Sequence, residues 1–298
     1  MRVIKNIILN RSWKKLDFTG DRANSLKDVI NDTQFRFNKS LGQNFISDKN
    51  LLDAIVSDSG ITENDVVVEI GTGGGTLTRA LSAAAKRVVS FEVDENLQKV
   101  LAFTLQGVEN AEVIFRDILK MSDEAVRETI GADSFKVVAN LPYYITTPLV
   151  MRFLESDLDV KSLTVMVQQE VADRFVAKPN TADYSAITLA IESRGSARIT
   201  RRVNRKMFYP VPNVDSAVVR IDIDRCKLAG ENTQLLHKLI RAAFSMRRKT
   251  LANNLSAAFG LDKQTVTEMI TSAGFLPLVR GEALSLSDYV ALSHIFDK

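Results

Sequence analysis

The sequence predicts a doubly wound α/β domain followed by a small all-helical region, and three observations support this prediction. Short runs rich in Val, Ile and Phe alternate with segments whose apolar residues recur at helical spacing, which is typical of parallel strands joined by helices. A glycine-rich turn follows the first run. Beyond about residue 228 only helical patterns remain. We therefore expect an α/β domain over 25–227 and a helical domain over 228–298.

Five apolar runs are predicted strands. They are "VVVEI" (66–70), "RVVSFEV" (87–93), "AEVIFRD" (111–117), "FKVVANL" (135–141) and "SLTVMVQ" (162–168). The segments "LTRALSAAA", "NLQKVLAFTL" and "YSAITLAIES" are predicted helices. Farther along the chain, "ARITRRVNRKMF" and "SAVVRIDI" predict two strands around the turn "YPVPNVD". In the last region "TQLLHKLIRAAFSM" and "DKQTVTEMITSAG" predict helices, with Gly260 and Gly274 as natural stops.

The composition excludes several classes of protein. Cys226 is the only cysteine, so an intramolecular disulfide and a thiolate metal cluster are ruled out. The two histidines, His237 and His294, lie far apart, which argues against a histidine metal site or a Ser/His triad. No apolar run approaches the roughly 18 residues of a membrane span, and the basic N-terminus lacks the apolar core of a secretory signal. We expect a cytoplasmic protein with no metal and no membrane segment.

Charge is distributed unevenly along the chain. Residues 41–140 carry 9 Lys and Arg against 16 Asp and Glu, whereas 194–298 carry 17 against 9 and 1–40 carry 9 against 4. Basic regions at both ends of an acidic segment suit a polyanionic partner. Scattered solvated charge is the plainer interpretation of the same counts.

The glycine-rich turn "EIGTGGGTLT" lies between the first strand and a helix. Glycine at Gly71, Gly73 and Gly75 permits a tight turn and close approach of backbone N–H groups to a ligand. Thr76 stands where a dinucleotide fingerprint has its third glycine, and no Gly-Lys-Thr ending is present, so neither a pyrophosphate site nor a P-loop is favoured. A plain tight turn has the same pattern.

Two acidic residues end the next two predicted strands. Glu92 follows Gly71 by twenty-one residues, where a carboxylate can accept hydrogen bonds from both hydroxyls of a ribose. Asp117, in "FRDIL", can accept from the exocyclic amine of an adenine. Each residue alone is also a common helix cap. Together, at the carboxyl ends of successive parallel strands, they predict a pocket for an adenine nucleoside without phosphates.

The stretch "NLPYY" ends the fourth predicted strand at the same edge. The side-chain oxygen of Asn140 and the carbonyl of Leu141, which Pro142 restricts to an extended backbone, can hold both hydrogens of an adenine amine. Such acceptors raise the reactivity of a nitrogen whose lone pair is delocalised into the ring. Tyr143 and Tyr144 are expected to be exposed, and Tyr143 offers a surface on which a base swung out of its stack can lie.

These residues form longer motifs that resemble one family from about residue 25 to 298. In order they are "NKSLGQNF", "EIGTGGGTLT", "FEVD", "RDIL", "NLPYYITTP", "FYPVPNVDSAVV", "RAAFSMRRKTLANNL" and "RGEALSLSDYVAL". Their order and spacing resemble those of the KsgA (RsmA) family of small-subunit rRNA adenine dimethyltransferases. The longer motifs are specific, whereas the glycine turn is not. Residues 1–24 precede the pattern, and two interpretations stay open: a disordered basic arm, or a start codon placed too far upstream.

The resemblance implies a class I methyltransferase with a mainly parallel seven-stranded sheet. It implies S-adenosylmethionine as cofactor and N6 of two adjacent adenines near the 3′ end of 16S rRNA, in an assembling 30S subunit, as substrate. The implied cofactor-binding residues are Asn44, Ile46, Gly71, Gly73, Glu92, Asp117, Ile118 and Asn140. The implied catalytic residues are Asn140, Leu141, Tyr143 and Phe208. The family usually has Leu at position 46, a swap that conserves volume. Phe208 resembles the family's second aromatic, which packs the target base opposite Tyr143, and a core residue at a strand end is the alternative.

Two basic clusters are candidate RNA contacts, since Lys and Arg bind phosphates without reading sequence. They comprise Arg201, Arg202, Arg205 and Lys206 in the first cluster and Arg247, Arg248 and Lys249 in the second. A solvated charged face is the ordinary alternative for either cluster alone. We expect the protein to act as a monomer.

Three other functions compete with this one. An Erm-type 23S rRNA adenine methyltransferase shares the fold and chemistry, but Leu141 and the segment 247–255 argue against it. A ribosome-assembly or transcription factor that has lost catalysis is less favoured because Asn140, Tyr143 and Glu92 are all present. A nicotinamide dehydrogenase is disfavoured by Thr76 and by the missing acid/base histidine.

Overall fold

The computed structural model describes residues 26–38, 41–46 and 48–297. The expected extension over 1–24 lies outside these residues. The chain divides into two compact units. The first comprises Met1–Gln169 and Ile199–Arg220, and the second comprises Glu170–Arg198 and Ile221–Lys298.

Nine strands lie within the described residues. They are β1 (Phe45–Ile46), β2 (Val66–Ile70), β3 (Arg87–Glu92), β4 (Ala111–Phe115), β5 (Ser134–Asn140), β6 (Asp159–Gln168), β7 (Gly195–Val203), β8 (Phe208–Tyr209) and β9 (Ser216–Ile223). Twelve α-helices lie in the same part of the chain. They are α1 (Leu26–Asp32), α2 (Lys49–Ser59), α3 (Thr76–Ser82), α4 (Gln98–Thr104), α5 (Asp123–Ile130), α6 (Thr146–Glu155), α7 (Gln169–Phe175), α8 (Ala186–Arg194), α9 (Thr233–Ala243), α10 (Leu251–Phe259), α11 (Lys263–Ser272) and α12 (Leu286–Phe296).

Seven of the strands form one sheet in the order β4-β3-β2-β5-β6-β9-β7. The pairings β4 with β3, β3 with β2, β2 with β5 and β5 with β6 are all parallel. Valines at the centre of β2, β3 and β5 are fully buried, as expected for strands covered on both faces. The chain leaves β2 towards β3 on one side and returns to β5 on the other, so the crevice between their carboxyl ends is the expected ligand site. The predicted doubly wound fold and seven-stranded sheet are confirmed.

Two predicted strands are shorter than expected. β4 ends at Phe115, so Asp117 lies beyond the strand rather than at its last position. The predicted strand over 197–208 is interrupted, because the side chain of Asn204 accepts a hydrogen bond from the Lys206 N–H (2.9 Å) and begins a 3-10 turn. The chain then continues as β8, which pairs antiparallel with β1.

The second unit is mainly helical, and its only strand residues among those described are 195–198 of β7 and 221–223 of β9. A buried cluster there joins Tyr184 and Leu189 to residues of α9, α10 and α12 such as Leu236, Leu255 and Tyr289. Because α8 packs into this core, the compact units divide the chain at other positions than the expected boundary at 228. Gly260 ends α10 in a left-handed conformation, and Gly274 follows α11 with φ +87°, so both predicted stops are confirmed.

Helix length and polarity decide whether a helix can span a membrane. Among the described residues, the helices are all too short or too polar to cross a bilayer.

A buried tyrosine hydroxyl should stabilise the second unit measurably. Tyr289 is fully buried and donates its hydroxyl hydrogen to the carbonyl of Gly281 (2.9 Å). We expect Tyr289→Phe to lower the free energy of unfolding by about 1–3 kcal/mol, since the carbonyl would lose its partner. Urea denaturation checks this value. The control Tyr144→Phe, on an exposed ring, should change it by less than about 0.5 kcal/mol, and equal effects would contradict the assignment.

Candidate active site

A cavity of about 450 Å³ opens at the carboxyl ends of the central strands in the first unit. Five segments line it, namely 41–46, residues of the glycine turn between 70 and 77, 91–93, 116–120 and 140–145, together with Leu149 and Phe208. Its volume is within the usual range for small-molecule sites. Every predicted cofactor-binding and catalytic residue lines this cavity, so the structure brings the dispersed motifs together.

The glycine turn requires glycine for two reasons. Gly71, Gly73 and Gly75 all have φ between +52° and +79°, in the left-handed region that favours glycine. A β-carbon at Gly73 would also lie 3.0 Å from the ring of Phe45. The ring of Phe45 therefore packs directly on the turn, and the side-chain hydroxyl of Thr76 donates to the carbonyl of Ile46 (2.9 Å).

Glu92 ends β3, and its carboxylate is fixed by backbone donors. It accepts from the N–H of Gly73 (2.9 Å), Val93 (2.8 Å) and Asp94 (2.9 Å). Burial raises the pKa of Glu92 above its ordinary value, although these hydrogen bonds oppose the rise. Three donors leave about one lone-pair position of the carboxylate for a further donor. The side chain is thus held rigidly with some accepting capacity left.

Asp117 lies two residues past β4 and begins the 3-10 turn Ile118–Lys120. Its side chain accepts from the N–H of Leu119 (3.1 Å), and its second oxygen lies 3.4 Å from the ammonium of Lys120. Ile118 is buried and forms an apolar part of the cavity wall. The turn therefore presents one carboxylate beside one apolar side chain.

Asn140, the last residue of β5, connects the strand to the segment 41–46. Its side-chain N–H donates to the backbone carbonyl of Asn44 (2.8 Å). The side chain of Asn44 in turn donates to the carbonyl of Gly42 (3.0 Å). With its amide nitrogen engaged, Asn140 has its side-chain oxygen left to accept from a ligand.

The two tyrosines after Pro142 differ in exposure. Tyr144 is 58% exposed, but Tyr143 is partly buried and its hydroxyl lies 3.3 Å from the Ser216 hydroxyl. The expectation that both are exposed is wrong for Tyr143, because the hydrogen bond to β9 draws the ring inward. Leu141 is buried, and its N–H bonds the carbonyl of Met166 (3.3 Å).

Phe208 is both a core residue and a residue of the cavity wall. It is buried, and it packs in a core cluster that includes Val138, Met166 and Val203. It also lines the cavity, opposite Ile46 in the β1–β8 pair. A core position and a position at the site are therefore compatible.

The structure adds contacts that the sequence analysis missed. The amide of Gln43 donates to the Asp94 carboxylate (2.7 Å), which ties 41–46 to the loop after β3. Gln43 lies within the "GQNF" motif and Asp94 within "FEVD". The motifs therefore pointed to both residues, but they did not show that the two side chains pair. The contact of Phe45 with Gly73 was missed because the two residues lie 28 positions apart in the sequence.

Glu69 is a second buried carboxyl group, behind the glycine turn. It is fully buried in β2 and accepts from the hydroxyls of Thr78 (2.5 Å) and Ser90 (2.7 Å). Ser90 in turn lies 2.6 Å from the hydroxyl of Thr72, a residue of the cavity wall. Burial raises the pKa of Glu69 to about 8. The group is therefore mostly neutral at pH 7, and a Glu inside an otherwise apolar strand was the overlooked sequence signal.

Some of the candidate RNA-binding cations are engaged within their own unit. Arg201 forms a two-pronged ion pair with Asp58 (both contacts 3.2 Å), and Arg205 donates to the carbonyl of Asn213 (2.7 Å). Arg247 donates to the carbonyl of Ala182 (2.6 Å). Six of the seven candidates are exposed, and Arg201 is partly buried; the exposed ones are Arg202, Arg205, Lys206, Arg247, Arg248 and Lys249. In the part of the chain that the structure describes, no group of three or more His, Cys, Asp or Glu residues could hold a metal ion.

The fold and the cavity define a Rossmann-like methyltransferase. A family model described as "Ribosomal RNA adenine dimethylase" matches residues 34–297. The chain belongs to this family and is an rRNA adenine dimethyltransferase, so the resemblance noted in the sequence is confirmed.

Similar proteins agree with the family. "Ribosomal RNA small subunit methyltransferase A" of Clostridioides difficile (strain 630) is 43% identical over 276 residues, or 92% of this chain and 96% of the relative. The protein of that name from Enterococcus faecalis (strain ATCC 700802 / V583) is 42% identical over 278 residues, covering 91% and 94%.

Two solved structures are also similar. A dimethyladenosine transferase from Plasmodium falciparum has a TM-score of 0.69 at 25% identity and covers 83% of this chain and 95% of its own. The 23S rRNA methyltransferase ErmE has a TM-score of 0.66 at 25% identity and covers 86% and 100%.

The raised pKa of Glu69 predicts a pH-dependent stability. Between its ordinary pKa of 4.5 and about 8, the folded protein holds a proton that the unfolded chain releases. The stabilisation of the fold by this proton is complete below pH 4.5, the ordinary pKa, and is lost as the pH rises through about 8, the pKa in the folded protein. We expect the free energy of unfolding of Glu69→Gln to fall less steeply over this range, by up to about 1.4 kcal/mol per pH unit.

Urea denaturation at several pH values between 5 and 8 measures this difference. The exposed Glu63→Gln is the matched control and should follow the parent curve. Parallel curves for Glu69→Gln and the parent would show that Glu69 is ionised in the folded protein.

Proposed function

We propose that the protein uses S-adenosylmethionine to dimethylate N6 of two adjacent adenines in the 3′-terminal hairpin loop of 16S rRNA, within the assembling 30S subunit. The observation that carries the proposal is the position of Asn140. Its amide nitrogen is held by Asn44, and its side-chain oxygen remains as an acceptor on the cavity wall beside Leu141. We further propose that the reaction takes place in the cytoplasm and that the protein acts as a monomer.

The cavity suits an adenosine without phosphates. Glu92 has about one lone-pair position left, which would accept from a ribose hydroxyl. Asp117 would accept from the adenine amine, with the buried Ile118 beside it as an apolar wall. Gly71 and Gly73 line the cavity and, having no side chain, leave their backbone open to a ligand. Asn44 and Ile46 close the other side. The bound cofactor supplies an activated methyl group on a positively charged sulfur.

The residues around Asn140 would position the target adenine. The side-chain oxygen of Asn140 and the carbonyl of Leu141 accept the two N6 hydrogens, which turns the nitrogen lone pair towards the methyl group. Tyr143 is held by Ser216, and a ring that is already ordered loses little entropy when a base stacks on it. Phe208 packs on the opposite side of the base. Positioning of this kind supplies most of the acceleration, and no histidine base is needed.

Exposed cations provide the attachment to RNA. Arg202, Lys206, Arg248 and Lys249 are exposed, and the two basic clusters would bind phosphates and orient the substrate without reading its sequence. Arg201 pairs with Asp58, so its part in RNA binding requires exchange of that partner. Arg205 and Arg247 use one donor each on backbone carbonyls and keep others for phosphate.

The small-subunit assignment is favoured over the Erm-type alternative. The chain is 43% and 42% identical to two proteins named for the small subunit, but 25% identical to ErmE. A factor without catalysis is disfavoured because Asn140, Tyr143 and Glu92 all face one cavity.

Asn140→Ala tests the catalytic arrangement. We expect methyl transfer from labelled S-adenosylmethionine to unmethylated 30S subunits to fall by at least about 100-fold, since an acceptor used in the transition state is lost. Binding to 30S subunits, measured by cosedimentation, should stay within about twofold, because the cations that contact RNA are unchanged. The exposed Asn64→Ala is the control and should keep parental rates. Transfer by Asn140→Ala at the parental rate would disprove the role of Asn140.

Glu92→Gln tests the cofactor assignment. An amide nitrogen would face at least one of the three backbone donors, so we expect S-adenosylmethionine affinity to fall by about 10- to 100-fold in calorimetry. The neighbouring exposed Glu95→Gln should bind like the parent. Binding of NAD but not S-adenosylmethionine by the parent would reverse the assignment of the cavity.

A further inference from the structure

One aromatic side chain at the candidate active site is largely exposed. Tyr144 lines the cavity and is 58% exposed, so it lies where the cavity meets solvent. Every other aromatic side chain that the structure describes is buried or partly buried. The other exposed large hydrophobic side chains of the first unit are aliphatic, namely Val93, Met207, Val211 and Val214. Tyr144 therefore provides the exposed aromatic face of the described residues.

The Tyr144 side chain contributes little to the fold. Among the described residues, it makes no hydrogen bond and no ring contact. The backbone beneath it is nevertheless fixed, because the N–H of Ile145 donates to the carbonyl of Pro142 (3.1 Å) and closes the 3-10 turn Tyr143–Ile145. Thr146, the first residue of α6, is buried directly after the turn. A ring on an anchored turn can be covered by a ligand without ordering any backbone.

The position of this ring beside Tyr143 indicates its ligand. Tyr143 is partly buried in the same cavity, with its hydroxyl 3.3 Å from that of Ser216, and the proposed function stacks the target base on it. A base that swings out of its stack stays joined to its neighbour through one phosphodiester, and the neighbour loses a stacking face. The residue next to Tyr143 supplies a new face at the rim of the cavity, because bases of every kind stack on aromatic side chains.

Other ligands fit Tyr144 less well. The adenosine of the cofactor is assigned to Glu92 and Asp117, which lie at or just beyond the ends of β3 and β4, whereas Tyr144 follows β5 on the far side of β2. A protein interface has a well-packed apolar centre. The other exposed residues of 140–150 are Thr147 and Pro148, so no large apolar side chain accompanies the ring in this segment. A single exposed ring suits one planar base.

We propose that Tyr144 stacks on the nucleotide next to the base that occupies the cavity. This contact rests on the proposed function and deepens it, because two adjacent adenines of the proposed substrate enter the cavity in turn. The adenine outside the cavity is then the neighbour that lies on Tyr144. The ring thereby favours a target whose neighbour is also free to leave its stack, as in a loop, over one held within a duplex.

Substitutions at Tyr144 test the stacking contact. We expect Tyr144→Ala and Tyr144→Leu to raise KM for unmethylated 30S subunits about tenfold with kcat within about twofold, because a substrate contact is lost while the reacting groups are unchanged. Tyr144→Phe and Tyr144→Trp should keep the parental KM, since both retain an aromatic face. Calorimetry should give the parental S-adenosylmethionine affinity for all four variants.

Leu261→Ala, at an exposed leucine of the second unit, is the control for these variants and should keep the parental KM. An unchanged KM in Tyr144→Ala or Tyr144→Leu would overturn the stacking contact. A rise in Tyr144→Phe equal to that in Tyr144→Ala would assign the effect to the hydroxyl, and a loss of cofactor affinity would place the ring on the cofactor. Either of these results would overturn the contact as well.

A photocrosslink identifies the base that lies on the ring. Tyr144→p-benzoylphenylalanine keeps an aromatic side chain, and 30S subunits whose rRNA has guanine in place of one of the two adenines leave a single target. After irradiation in the presence of S-adenosylhomocysteine, which carries no methyl group to transfer, we expect reverse transcription to stop at the guanine beside that target. Adducts on the target adenine itself or on a ribosomal protein, or no adducts, would overturn the proposal.

These measurements distinguish failure of the stacking contact from failure of the proposed function. A protein that gives the guanine adduct but leaves the adenines of native 30S subunits unmethylated would refute the proposed function alone. A parent protein that methylates both adenines while Tyr144→Ala keeps the parental KM would refute the stacking contact alone.

Discussion

The hydrogen bond from the Asn140 side chain to the Asn44 carbonyl organises the candidate site. It fixes which end of the amide remains available and at the same time holds the segment 41–46 against the end of β5. That segment places Phe45 on the glycine turn and Gln43 on Asp94. This hydrogen bond thereby joins two parts of the pocket wall that lie 96 positions apart in the sequence. Removing this one bond would disturb both the acceptor and the wall that carries it.

Two buried glutamates near the cavity have different hydrogen-bond donors and therefore suit different roles. Glu92 receives three backbone N–H groups, which compensate a carboxylate, and it lines the cavity. Glu69 receives two hydroxyl donors on one oxygen, while its other oxygen has no partner. Burial raises the pKa of both, and at Glu92 three backbone hydrogen bonds to its two oxygens oppose that rise. The first is suited to a ligand, and the second joins β2, β3 and α3.

The sequence predicted the fold and the site more completely than the side-chain environments. Strand periodicity placed Glu92 and Asn140 at strand ends, and the parallel topology then brought them to one edge. It could not predict that Tyr143 turns inward, because the Ser216 hydroxyl that holds it lies 73 residues away. Nor could charge patterning separate Arg201, which is paired with Asp58, from its exposed neighbour Lys206. Local sequence patterns predict helices and strands. Contacts between side chains that are distant in the sequence depend on tertiary packing, which cannot be read from a single sequence.

The contact between Phe45 and Gly73 has an evolutionary consequence. A β-carbon at position 73 would lie 3.0 Å from the aromatic ring, so a side chain there requires the ring to shift and couples the two positions. A smaller residue at 45 would open that volume, yet a φ of +52° would still penalise any side chain at 73 by about 1 kcal/mol. Replacing both residues would therefore remove the steric cost at position 73 but keep the backbone cost, so two separate physical effects favour glycine there.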